Sequence, residues 1–297
     1  IALGDVSMKF VLVLVAARGK VSLSDTMVEH VRRSVAGGEV AWLAPGEAAE
    51  IPCMMDPERD IILEALDGAP IDALCVKARG RRKAVLIADM DSTIVTSETI
   101  DELAGEAGVG AQVAAITQRS MAGEIDFAQA LHERVALLKG LDITALERTW
   151  RKTELMPGAR ELVATMRAHG AVTALVSGGF TFFTGRVAAD IGFDSHRANT
   201  LLDDGSRLTG LVDEPVLDRD AKRAALHEIA ELRGVKLGAT LAVGDGANDL
   251  GMIADAGMGV AYHAKPILQD QTRLQINHAD LRALLFLQGY PASVFRG

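Results

Sequence analysis

The chain has 297 residues, 49% of them hydrophobic, with 31 Lys and Arg against 40 Asp and Glu for a net charge of −9. That apolar content is ample for buried cores, while the acidic balance argues against general attraction to nucleic acid or an anionic membrane, so neither partner is expected. No apolar run approaches the roughly 18 residues of a membrane span, and Cys53 and Cys75, far apart and outside any Cys-x-x-Cys pair, read as small buried residues of a cytoplasmic protein.

Residues 1–7 (IALGDVS) carry no element pattern, and the native start is expected at Met8. From there KFVLVLVAA reads as a strand and SDTMVEHVRRSVA as a helix capped by Ser24 or Asp25. VAWLAP and AAEIPCM read as short extended runs, PERDIILEAL as a second helix and IDALCVKA as a strand. This β-α-β-β-α-β order predicts a small α+β domain over 8–80. In topology it resembles the ACT-type regulatory domain, and its ARGKVS loop loosely resembles an ACT ligand loop. The basic stretch ARGRRKA, residues 78–84, reads as a solvated linker.

Beyond the linker, continuous apolar runs alternate with helical patterns: AVLIADMD, AVTALVSGG, ATLAVGDG and MGVAYH. Such runs predict a parallel sheet covered on both faces, an α/β domain over 81–297. Between the first two strands lies far more helical sequence than one crossover needs, including IDFAQALHERVALLKG and ITALERTWRKTEL. The excess predicts a helical cap over 96–156, leaving the core as 81–95 and 157–297. MPGARELVATMRAHG, with Pro157 near its start and Gly170 past its end, is the returning crossover helix.

Ligands of open parallel sheets collect beyond the carboxyl ends of the strands, and three of these strands run into DMDST, SGG and GDGAND. Asp89 and Asp91, two apart in extended chain, lie about 6 to 7 Å apart on one side. Asp245 and Asp249 bring more acid to the same edge. Carboxylates so crowded repel one another unless a cation or proton intervenes, and a hard divalent ion such as Mg²⁺ suits an all-oxygen site.

These residues resemble the haloacid dehalogenase superfamily and, within it, the phosphoserine phosphatases. DMDST matches the nucleophile motif, Ser177 with Gly178 and Gly179 the second motif, Lys222 the third and GDGAND the fourth. The likeness extends into the cap through TSETIDELA, the region of Met121 and Phe127, and Arg134. It implies a Rossmann-like core and hydrolysis of O-phospho-L-serine to L-serine and phosphate through an aspartyl-phosphate, in serine biosynthesis. Asp89 would be the nucleophile and Asp91 the acid and then the base. Mg²⁺ would be held by Asp89, the Asp91 carbonyl and Asp245, with Asp249 and Asn248 orienting its ligands and waters. Ser177, the amides near Gly178 and Gly179, and Lys222 would hold the phosphoryl oxygens. Glu98 and Arg134 would take the substrate's ammonium and carboxylate. On spacing alone Met121 and Phe127 read as cap core, whereas the resemblance implies contact with substrate. Another phosphate monoester, a phosphotransferase, or an inactive amino-acid-binding body are the competing readings. Oligomeric state stays open, a homodimer included. Because every motif residue lies after residue 84, the amino-terminal module is expected to be dispensable for chemistry.

Overall fold

A computed structural model describes residues 8–297, so the expectation for residues 1–7 lies outside the described residues. The first part of the chain follows the expected order: β1 (Phe10–Ala16), α1 (Asp25–Ser34), β2 (Ala41–Ala44), β3 (Ala48–Cys53), α2 (Arg59–Leu66) and β4 (Ile71–Lys77). Ser24 caps α1, its hydroxyl accepting from the Met27 amide at 3.2 Å. The sheet order is β2-β3-β1-β4, with β1 antiparallel to both neighbours.

The uninterrupted apolar run of β1 has a direct cause: both faces of the strand are buried. Leu12 and Leu14 pack with Val28, Val31, Ile51, Ile62 and Leu66 beneath the two helices. Val11, Val13 and Val15 point the other way, with Leu74 and Val76, into a second core that also holds Leu281, Leu284 and Phe286 from the end of the chain. A chain starting at residue 81 would bare that face to water, a cost that the expectation of dispensability leaves out.

The remaining chain forms β5 (Val85–Ala88), a cap of α3 (Thr99–Glu106), α4 (Gly110–Met121), α5 (Phe127–Ala136) and α6 (Thr144–Lys152), then α7 (Ala159–Ala168), β6 (Val172–Phe180), α8 (Thr181–Ile191) and β7 (Ser195–Asn199). A hairpin of β8 (Leu201–Asp203) and β9 (Leu208–Val212) follows, then α9 (Arg219–Arg233), β10 (Thr240–Gly244), α10 (Leu250–Asp255), β11 (Met258–Tyr262), α11 (Pro266–Gln269), β12 (Leu274–Ile276) and α12 (Ala283–Leu287). Six strands make one parallel sheet in the order β12-β11-β10-β5-β6-β7. This is an α/β core with a helical cap and a small antiparallel sheet before it. The edge strands β7 and β12 were not expected: SHRAN is polar and LQI is only three residues long, so neither shows a buried run. No helix of the described residues is long and apolar enough to cross a membrane.

The cap leaves and rejoins the core at one point. Val95 and Leu155 form an antiparallel bridge, with the Thr96 amide donating to the Glu154 carbonyl and the Met156 amide to the Ile94 carbonyl, each at 2.9 Å.

Candidate active site

Asp89 and Asp245 are the first residues past β5 and β10, adjacent parallel strands, so their carboxylates meet at one sheet edge. One oxygen each of Asp89, Asp245 and Asp249 lies within 4.8 Å of the others, and all three residues are buried. Asp249 reaches this position because the turn is built of glycines. A Cβ on Gly244 would lie 2.4 Å from the Asp249 carboxylate, and one on Gly246 would lie 2.6 Å from Asn248 Oδ1. Asp249 Oδ2 accepts from the Asp245 and Gly246 amides at 3.2 and 3.1 Å. Its other oxygen meets Lys222 Nζ at 2.7 Å.

Lys222 is wholly buried, and its ammonium also pairs with Asp89 Oδ1 at 2.7 Å. Burial works against the ammonium, but Asp249 and Asp89 outweigh it and hold its pKa above the ordinary lysine value. Burial, and next the charge of Asp249, push the Asp89 carboxyl well up, against the pull of Lys222. Asp245 is raised to about 6, first by burial, with Lys265 opposing.

Asp91 sits beside this cluster. Its Oδ1 accepts from the Thr99 amide at 2.8 Å and its Oδ2 from the Ser177 hydroxyl at 3.1 Å. Burial, then the Glu98 charge, raise its pKa to about 6, against those hydrogen bonds. Ser177 accepts in turn from the Gly179 amide at 2.9 Å. The SGG segment is not a strand end, as the sequence implied. It lies inside β6, in a bulge where Val176 pairs with Arg197 and Phe180 with Asn199, beyond the last pairing of β6 with β5 at Leu175. The bulge turns Ser177 and its glycines toward Asp91. A Cβ on Gly179 would stand 2.6 Å from Asp91 Oδ2, and one on Gly178 would stand 2.9 Å from the Phe127 ring.

Phe127 therefore closes over the second motif from the start of α5, whose cap Asp126 accepts from the Gln129 amide at 2.7 Å. Met121 does not fit the cap-core reading. It ends α4, a helix that buries only Val113, and is 74% exposed. Glu98 stands at the cap position of α3 without capping it. Its Oε1 instead accepts from Ser92 Oγ at 2.9 Å and Lys265 Nζ at 3.3 Å. Arg134 is half-buried, with Nε donating to the Ala130 carbonyl at 3.1 Å. Burial lowers its pKa, while the charges of Asp101, Glu98 and Asp91 pull it upward. Asn248 is half-buried beside Gly246.

Three contributors escaped the sequence reading. Lys265 reaches Glu98 and Asp245, Thr93 Oγ1 donates to Asp245 Oδ1 at 3.4 Å, and Asn199 Nδ2 donates to the Gly178 carbonyl at 2.8 Å. A signal for the lysine was present, since AKP follows the fourth apolar strand at the same sheet edge.

Fold and site define the class: a capped α/β enzyme with a cluster of buried aspartates at the ends of adjacent parallel strands. The chain belongs to the haloacid dehalogenase-like hydrolase family, whose sequence signature matches residues 86–254. It is 47% identical over 199 residues to a phosphoserine phosphatase of Streptococcus thermophilus, covering 67% of this chain and 93% of that one. With a phosphoserine phosphatase of Archaeoglobus fulgidus it shares 44% identity over 212 residues, 71% of this chain but 62% of the longer relative. The crystal structure of a probable phosphoserine phosphatase from Vibrio cholerae superposes with a TM-score of 0.78 at 31% identity, covering 99% of this chain and 90% of that one.

Proposed function

We propose that this chain is a Mg²⁺-dependent phosphatase that hydrolyses O-phospho-L-serine to L-serine and phosphate through an aspartyl-phosphate on Asp89. The observation that carries the reading is the pairing of two sites. A buried Asp89–Lys222–Asp249 cluster with Asp91 beside it lies under a cap that offers one anion, Glu98, and one cation, Arg134. Identity to phosphoserine phosphatases of two organisms supports the substrate.

The donor set fits a hard divalent ion. It is all oxygen, and three buried carboxylates face one buried ammonium. Both Asp249 oxygens are already engaged by Lys222 and two amides. Asp89 Oδ2 and the Asp245 carboxylate, which only a 3.4 Å Thr93 hydroxyl and the half-exposed Lys265 contact, would therefore hold the ion, and Asp249 orients them. Bound there, Mg²⁺ would neutralise the repulsion between nucleophile and phosphate.

The protein's own groups then divide the work. Asp89 attacks phosphorus in line with the departing serine oxygen. Asp91, whose raised pKa keeps part of it protonated near neutrality, gives that oxygen its proton. Asp91 then takes a proton from the water that cleaves the acyl phosphate. Lys222, the Ser177 hydroxyl and the amides of the β6 bulge hold the phosphoryl oxygens as charge redistributes. The deciding assay is phosphate release from O-phospho-L-serine with and without Mg²⁺. Release only with the ion is expected, and no release in either condition sinks the reading.

Arg134 carries the recognition of the substrate carboxylate, since its planar fork suits that group. A charge-assisted contact is worth about 1.5 to 3 kcal/mol, so Arg134→Ala is expected to lower kcat/KM on phosphoserine on the order of ten- to a hundredfold. Phosphoethanolamine lacks the carboxylate and should be hydrolysed by the variant as by wild type. Equal losses on both substrates would make Arg134 a structural residue of the cap.

A further inference from the structure

Lys265 lies just past β11, and its ammonium bridges Glu98 Oε1 at 3.3 Å and Asp245 Oδ2 at 3.2 Å. Asp101 feels both Arg134 and Lys265 as nearby positive charges. The acids Glu98 and Asp101 are therefore flanked by two cations, one from the cap and one from the core.

The seat of Lys265 is anchored far from the site. Its own amide donates to the Asp245 carbonyl at 2.8 Å. Two residues earlier His263 takes φ +43°, uncommon for a non-glycine residue. It is held there by its amide donating to the Ile276 carbonyl at 2.8 Å and by its ring Nε2 on the Ala279 carbonyl at 2.9 Å. Residues 277–279, just beyond the three-residue β12, are gripped by a single side chain of the amino-terminal sheet. Asp72, buried on β4, accepts from the Asn277 amide at 2.8 Å through Oδ1, and from the His278 and Ala279 amides at 3.0 and 2.7 Å through Oδ2. Hydrogen bonds to a charged acceptor are stronger than neutral ones, and here three converge on one carboxylate.

We infer that Lys265 is a specificity-determining residue that favours substrates bearing a carboxylate over simple amines, and that Asp72 is the positioning residue that fixes its seat through residues 277–279 and His263. The inference rests on the phosphoserine reading. Lys265 repels the ammonium of phosphoserine and of phosphoethanolamine alike, and any change in Glu98 orientation also touches both. Only phosphoserine gains from its attraction for a carboxylate. The ratio of kcat/KM for phosphoserine over phosphoethanolamine therefore isolates that attraction.

The test measures this ratio in the full-length, Mg²⁺-loaded enzyme. Lys265 is about half exposed, so a screened effect is expected: Lys265→Met should lower the ratio about three- to tenfold, and Lys265→Arg should restore most of it. Asp72→Asn should lower the ratio in wild type but not further in a Lys265→Met background. His263→Asn, which tolerates the left-handed backbone but loses the ring contact, should act as Asp72→Asn does, and it carries the test if the Asp72 variant fails to fold. Glu50→Gln loosens another contact of the same sheet, the 2.7 Å pair with Arg81, and should leave the ratio alone. An unchanged ratio in Lys265→Met overturns the inference. So does an Asp72→Asn or His263→Asn effect of equal size in both backgrounds, or an equal loss from Glu50→Gln. Wild type that releases no phosphate from phosphoserine defeats the underlying reading as well, and is told apart by that result.

Discussion

Asp89→Asn is expected to lower turnover on the order of 10⁴- to 10⁶-fold while leaving the fold intact. The amide is nearly isosteric with the carboxylate but is a far poorer nucleophile. An amide can keep the contacts that hold the side chain: Asp89 follows a strand of four buried residues, and its Oδ1 accepts from the Met90 amide at 2.8 Å and meets Lys222 Nζ at 2.7 Å, bonds an amide oxygen can also make. Removing this buried charge also removes the repulsion that Asp89 suffers from Asp249 and Asp245, so the melting temperature should hold or rise. The measurement is steady-state phosphate release beside a thermal melt. Residual activity within a hundredfold of wild type in freshly prepared, undeamidated protein would remove Asp89 from the nucleophile role.

Lys222→Met should damage both stability and rate. The ammonium is wholly buried between Asp89 and Asp249, and methionine fills its volume but leaves two buried carboxylates facing each other. Breaking a buried pair by deleting one partner costs about 3 to 5 kcal/mol. The loss should be read as a lowered denaturation midpoint, together with at least a hundredfold fall in kcat from the lost phosphoryl contact. Pairing it with Asp249→Asn supplies the control. The double variant removes one charge of each sign, so it should regain part of the midpoint while activity stays low. If the double variant is no more stable than the single, the cost lies in packing rather than in the unpaired charge.

The sequence made the acid-tipped strands legible because burial on both faces turns β5 and β10 into unbroken apolar runs, and a run that stops on an acid marks the sheet edge. The βαββαβ order was legible for the same reason, together with the Ser24 cap. The bulge that re-aims Ser177 was not, since it depends on the register against β7, a polar edge strand with one partner and no apolar face to display. Nor was Lys265 recognised, because a single lysine in a loop looks like any solvated charge until its neighbours are known. Asp72 is the extreme case. It grips amides 205 to 207 residues away, a pairing that leaves no periodicity in either segment.

The bridge between Val95 and Leu155 brings both ends of the cap side by side. Neighbouring strands run about 4.8 Å apart, a gap that a two-residue turn closes. The cap is thus a cassette with a single splice point. An engineer could exchange residues 96–154 for a short hairpin, or for a cap of another shape, without rerouting any strand of the sheet. Phe127, Glu98 and Arg134 would leave with the cassette, whereas Asp89, Asp91, Ser177, Lys222 and Asp245 would stay behind.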